Sequence, residues 1–98
     1  MSRALIVRPE AESDMEEVQA WYDQQRTGLG ADFLLCVEET LARIVRNPET
    51  YGILHRDIRR AFVRRFPYGV FYRIVEDQVI VVGVFHGRRN PRTWKSRR

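Results

Sequence analysis

The sequence predicts an α+β two-layer domain with the element order β-α-α-β-β-β. An antiparallel helical hairpin packs on one face of a small twisted, mainly antiparallel sheet. Three observations predict it. Two apolar stripes at helical spacing occupy the first half of the 98 residues, joined by a short linker containing glycine. The second half changes period, to runs rich in β-branched and aromatic residues separated by turn formers. A helical pair and a sheet of this size bury their apolar faces only against each other. The length suits one domain over residues 1–98, closed by a short basic tail over 92–98.

Ala4–Val7 reads as a short apolar strand. Pro9 sits where a helix begins, because its fixed φ suits a first turn and its missing N–H costs nothing there. Glu10, Glu12, Asp14, Glu16 and Glu17 load the first turns with negative charge, favourable to the helix dipole. Ala11, Met15, Val18 and Tyr22, with Trp21 alongside, form one apolar face that should end near Gln25. A second helix is predicted from about 30 to 47, with Phe33, Cys36/Val37, Thr40/Leu41 and Ile44 as its stripe. Asn47-Pro48 ends it, since the residue before proline is pushed out of the helical region. So short a linker makes the two helices antiparallel neighbours.

Residues 58–66 mix apolar side chains with Arg59, Arg60, Arg64 and Arg65, and read as a partly exposed strand toward a sheet edge. Arginines at an edge also discourage edge-to-edge pairing, a role sufficient for Arg59 and Arg64. Pro67-Tyr68-Gly69 is a turn, 70–75 a strand, and Glu76-Asp77 a second turn. The unbroken apolar run 79–85 predicts a strand covered on both faces.

Composition removes several classes of function. One cysteine, Cys36, excludes an intramolecular disulfide and multi-cysteine zinc motifs, and its helical position reads as a buried structural thiol. No cofactor or metal site is expected. No apolar run approaches the roughly 20 residues that span a bilayer, and Ala4–Val7 is too short for a signal-peptide core, so no membrane partner and a cytoplasmic location are expected. The net charge is +4. Residues 1–54 hold 5 arginines against 10 Asp/Glu, whereas residues 55–98 hold 12 Arg/Lys against 3 Asp/Glu. Only Lys95 is lysine. A GC-rich genome would favour arginine over lysine, but would not segregate the charge. The segregation predicts a basic surface facing nucleic acid or an acidic protein segment.

The chemistry-bearing stretch is His86-Gly87-Arg88-Arg89-Asn90-Pro91, with Trp94 three residues on. It follows directly on the buried strand, so a histidine, two guanidiniums and an aromatic leave the end of a rigid element together. With the strand before it, this spelling resembles the C-terminus of the RelE/ParE family of bacterial type II toxins. The resemblance covers essentially the whole chain. The opening strand followed by Pro9, Ala11, Asp14-Met15, Val18 and Trp21-Tyr22 is similar to the start of that family. Phe66-Pro67-Tyr68-Gly69-Val70-Phe71-Tyr72-Arg73-Ile74 is similar to its phenylalanine-proline-tyrosine turn and following strand.

The resemblance implies one of two activities. RelE-like members cut mRNA in the ribosomal A site with arginines, lysines and a histidine or tyrosine. ParE-like (plasmid stabilisation) members inhibit DNA gyrase and are not known as nucleases. Both classes are neutralised by a cognate antitoxin, and the complex binds operator DNA, which the toxin meets only through the antitoxin. Three departures favour the ParE-like class. Gly69 stands where the nucleases typically place an arginine, lysines are absent from the preceding strand, and no tyrosine follows Tyr72. The leading expectation is therefore a gyrase inhibitor with no catalytic residues of its own. Its target- or antitoxin-binding surface would draw on Trp21, Tyr22, Arg59, Arg60, Arg64, His86, Arg88, Arg89 and Trp94. The alternative is a ribosome-dependent mRNA endonuclease, with His86 as acid/base and Arg73, Arg88 and Arg89 as phosphate ligands. A histidine at a strand end is also commonly a packing or hydrogen-bonding residue. A third reading is a family member that binds its antitoxin but has lost toxicity.

Overall fold

In the computed structural model, which describes residues 3–97, β1 (Ala4–Val7) leads through Arg8 into α1 (Pro9–Gln25). Pro9, Glu10 and Glu12 occupy the first turn, as their chemistry requires. The helix stops at Arg26, whose N–H still donates to the Tyr22 carbonyl while its backbone is extended. Gly28, at φ +91°, then reverses the chain into α2 (Leu29–Arg46). That helix ends at Asn47, and Pro48–Thr50 make a single 3-10 turn.

The remaining strands are β2 (Ile53–His55), β3 (Ile58–Phe62), β4 (Tyr68–Val75) and β5 (Gln78–His86), followed by α3 (Pro91–Lys95). They form one sheet in the order β1-β5-β4-β3-β2. β1 runs parallel to β5, with Ala4 opposite Gln78, and the other pairs are antiparallel. Four elements differ from the sequence expectation: β4 already begins at Tyr68, within the stretch read as a turn, α3 is a helix that the sequence does not predict, and β2 and β3 depart as follows. β2 is an additional strand, three residues long, too short to show any alternation. It takes the edge, so the basic strand β3 lies one place in. β3 also ends at Phe62 rather than at 66, because Arg65 adopts φ +70° and turns the chain.

Both long helices cover one face of the sheet, α1 over β5 and α2 over β3 and β4. Phe33, Val37 and Ile44 of α2 and Ala11 of α1 meet Ala61, Val70, Tyr72, Val79, Val81 and Val84 there. Each such apolar side chain contributes about 1.5–3 kcal/mol on burial. Thr40, the one buried polar residue of this core, donates its hydroxyl to the Cys36 carbonyl at 2.9 Å. Cys36 itself is half-buried, not the fully buried thiol expected. The Tyr72 hydroxyl donates to the Pro48 carbonyl at 2.5 Å, tying β4 to the end of α2. Burial pushes its pKa up to about 12 against the opposing pull of Arg59, with Tyr51 adding to the rise.

The opposite face carries a second cluster: Ile58, Phe71, Val82 and Phe85 under Trp94 of α3. A bulge between Phe71 and Tyr72 in the β4–β5 ladder leaves Val82 as the extra residue of β5. With both faces covered, the unbroken apolar run of β5 is explained. The stretch expected as a basic tail is instead part of this layer through residue 97. Asn90 caps α3 by accepting from the Arg92 N–H at 3.0 Å. Arg97 then reaches the Asp14 carboxylate of α1 at 2.9 Å and the Val82 carbonyl at 3.0 Å. Arg98 lies outside the described residues.

Candidate interaction surface

The His86 corner is a rigid turn. Gly87 N–H donates to the Pro67 carbonyl at 2.8 Å, and Arg89 N–H to the His86 carbonyl at 2.9 Å. The Nδ1 of His86 accepts from the Arg88 N–H at 3.0 Å, which assigns that nitrogen as unprotonated. Tyr68, directly opposite His86 in the ladder, packs edge-on against the imidazole at 5.3 Å between ring centroids. Arg88 and Arg89 project into solvent from the outside of the turn.

Beside this corner runs an apolar groove of about 430 Å³ lined by Trp21, Tyr22, Pro67, Tyr68 and His86. Its floor is a cluster of aromatic edges, with Tyr22 meeting Phe66 at 4.9 Å and Phe33 meeting Tyr68 at 5.4 Å. Trp21 stands on the rim, 54% exposed, held edge-on to Tyr22. A more polar groove of about 360 Å³ adjoins it and shares Tyr68 and His86, with Glu10, Glu17 and Arg89 on its walls. Burial raises the hydroxyl pKa of Tyr22, with a further push from Tyr68. Burial also raises that of Tyr68, which Arg89 partly opposes. Both phenols therefore remain protonated donors at neutral pH and neither supplies a base.

The basic residues singled out in the sequence scatter over several roles. Arg59 donates to the carbonyls of Glu49 at 3.1 Å and Tyr51 at 2.7 Å, clamping the loop before β2. Arg64 pairs with Glu39 at 3.2 Å and Arg65 with Asp32 at 3.8 Å. Arg73 is gripped by Asp57 at 2.8 and 2.9 Å. Arg60 lies across the open sheet face, its guanidinium carbon 4.4 Å from the Phe62 ring centroid. Trp94, expected among the exposed contacts, is only 8% exposed and stacks at 5.2 Å on Phe71. Among the described residues, Arg64, Arg65 and Arg97 of the basic half pair with carboxylates of the acidic half.

The four residues of the nuclease alternative do not converge. His86, Arg88 and Arg89 share one turn, but Arg73 faces Ile80, at the other end of the ladder. Five residues of strand separate Arg73 from Tyr68, about 17 Å at the rise of a β-strand. Sequence reading missed Tyr68 as a groove residue, and missed Asp14 and Arg97 as a pair. The turn spelling around Pro67 marked the first, whereas nothing in the acidic run of α1 distinguishes Asp14. Among the described residues no group of three His, Cys, Asp or Glu could hold a metal ion, and no helix is long and apolar enough to cross a membrane.

With this geometry in hand, comparison with known proteins is informative. Residues 5–91 match the family model of the ParE toxin of the type II toxin–antitoxin system parDE. The chain is 29% identical over 92 residues to Toxin ParE2 of Mycobacterium tuberculosis strain H37Rv, covering 93% of this chain and 88% of the relative. Among solved structures, it is similar to the chromosomal ParDE system from P. aeruginosa, with a TM-score of 0.76 at 11% identity. That alignment covers 87% of this chain and 96% of the other. It is also similar to the RelBE2 toxin–antitoxin complex from M. tuberculosis, with a TM-score of 0.64 at 22% identity, covering 88% and 99%. These two likenesses concern the fold.

Proposed function

Because the chain belongs to the ParE toxin family of type II toxin–antitoxin systems, we propose that it arrests growth by binding and inhibiting DNA gyrase, without chemistry of its own. The observation that supports this reading is the separation of Arg73 from the turn that holds His86, Arg88 and Arg89. Arg73 is occupied by Asp57 far from His86, and Gly69 presents no side chain where a phosphate ligand would stand. Burial raises the hydroxyl pKa of Tyr22 and Tyr68, the tyrosines that share the groove with His86. Its cytoplasmic target would meet the solvent-facing corner of His86, Arg88 and Arg89 together with Arg60 and Arg64. Arg59 and Trp94 would support that surface from beneath.

A cognate antitoxin is the second partner, supported by the likeness to ParDE and RelBE assemblies. The groove of Trp21, Tyr22, Tyr68 and His86 suits an amphipathic segment that folds on binding. Operator DNA would be engaged only through that complex. The test is supercoiling by purified gyrase in the presence of the purified protein, where inhibition and trapped cleaved DNA are expected. Unimpaired supercoiling at concentrations that stop growth, accompanied by a halt in translation, overturns the reading.

One observation favours a second reading, a ribosome-dependent mRNA endonuclease. His86, Tyr68 and Arg89 lie together beside a groove, an acid/base candidate next to a cation. Ribosomes programmed with mRNA decide it. Absence of A-site cleavage by the parent protein removes the nuclease, and cleavage abolished in a folded His86→Ala variant establishes it.

A further inference from the structure

Arg60, on the sheet face turned away from α1 and α2, differs from the paired arginines of the basic half. Arg64, Arg65, Arg73 and Arg97 each have a carboxylate, and Arg59 spends its donors on backbone carbonyls. Arg60 forms no ion pair among the described residues. Its guanidinium carbon lies 4.4 Å from the Phe62 centroid and 5.9 Å from that of Phe71. The aliphatic stem runs over Gly69, where a Cβ would stand 2.9 Å from the Arg60 Cγ and Cδ. Gly69 is therefore the berth of this arginine. The position that lacks a side chain in the sequence is filled from the adjacent strand. Phe62 is 56% exposed, and Gly87 of the His86 corner borders its ring.

We propose that this Arg60–Phe62 platform is the anchoring point for a carboxylate side chain of the antitoxin, with an apolar neighbour of that acid covering Phe62. The proposal rests on the toxin–antitoxin reading above. A guanidinium lying over the Phe62 ring, with its stem packed on Gly69, presents a planar N–H fork that matches a carboxylate. Arginine beside an exposed aromatic is the composition of interface residues that dominate affinity. A nucleic-acid strand fits less well, because a phosphate track needs several free cations in line. On β3 and β4 the other arginines, Arg59 and Arg73, are engaged already, and the exposed Arg88 and Arg89 lie on the turn beyond β5 and not along the strand.

The experiment measures affinity of the purified protein for its purified antitoxin by calorimetry. Arg60→Lys keeps the charge and loses the fork, and should weaken binding by about tenfold to a hundredfold. Gly69→Ala leaves Arg60 in place but evicts its stem from the berth, and should weaken binding in the same direction. Thermal melts verify that both variants fold. Scanning the antitoxin Asp and Glu residues to Asn and Gln should yield one substitution that costs nothing further in the Arg60→Lys background. Binding within about twofold of the parent for both variants overturns the proposal. So does an Arg60-dependent affinity for a labelled single-stranded oligonucleotide with antitoxin binding unchanged. Failure of gyrase inhibition by the parent would remove the proposed target and leave these affinities to decide the anchor.

Discussion

Asp14 offers the sharpest test of how the C-terminus is held. Its carboxylate accepts from the Val84 N–H at 3.0 Å and from the two Arg97 nitrogens at 2.9 and 3.2 Å. The side chains are 13% and 26% exposed. This places the pair between exposed ion pairs, worth about 0–1 kcal/mol, and fully buried ones, whose breakage costs about 3–5 kcal/mol. Asp14→Ala also strands the Val84 N–H on the part of β5 beyond its pairing with β1, and should cost about 2–3 kcal/mol. Asp14→Asn keeps an acceptor for that N–H and should cost about 1 kcal/mol. Urea unfolding at neutral pH reads both, and the Ala variant should also melt roughly 10–20 °C lower. In a double-mutant cycle with Arg97→Gln, Asp14→Asn should show a coupling of about 1 kcal/mol. An Asp14→Ala midpoint within error of the parent, with zero coupling, would refute the claim that residue 97 is anchored.

Three further outcomes are expected. Trp94→Ala should lower stability by about 3 kcal/mol in urea unfolding, because it uncovers Phe71 and Phe85, and a loss under 1 kcal/mol would mean that α3 does not seal the open face. Tyr72 titrates near 10 when unfolded and at about 12 when folded, so its contribution is intact below pH 10 and is lost as pH rises toward 12. That fall, on the order of 2–3 kcal/mol, should be absent in Tyr72→Phe when denaturation midpoints are compared between pH 9 and 12. His86→Gln retains an acceptor for the Arg88 N–H and should preserve growth arrest to within a few-fold. A loss of about a hundredfold or more would instead signal proton transfer by the imidazole.

The fold was legible where local chemistry and packing agree. The Pro9 start, the Asn47-Pro48 stop and the stripe of Phe33, Val37 and Ile44 each carry their own signal. β2 was not legible, because three residues show no period and its exposed Ile53 and Leu54 resemble a loop. The limit of β3 was hidden because Val63 and Phe66, though beyond the strand, are still buried. The candidate surface was legible in composition and not in arrangement. Charge segregation pointed to a basic half, yet which arginine remains free depends on long-range pairing with Asp14, Asp32 and Glu39. Trp94 looked like a contact residue because its motif is basic, and burial is decided by the hydrophobic patch that α3 must cover. Gly69 reads as an absence in the sequence, and only the side-chain packing shows the Arg60 stem lying over it, diagonal to the Gly69–Phe62 pairing.

The parallel pairing of β1 with β5 has a consequence for synthesis. Ala4 finds Gln78 only after nearly the whole chain exists, and Asp14 waits longer still for Arg97. Until β5 is made, β1 has no strand to pair with and α1 lacks the strand it covers, whereas α2 can already close on β3 and β4. Contacts of such sequence separation slow folding, since loop closure is opposed by entropy before any contact rewards it. The pairing of β1 and the Asp14–Arg97 tie therefore form only after β5 and residue 97 have been made.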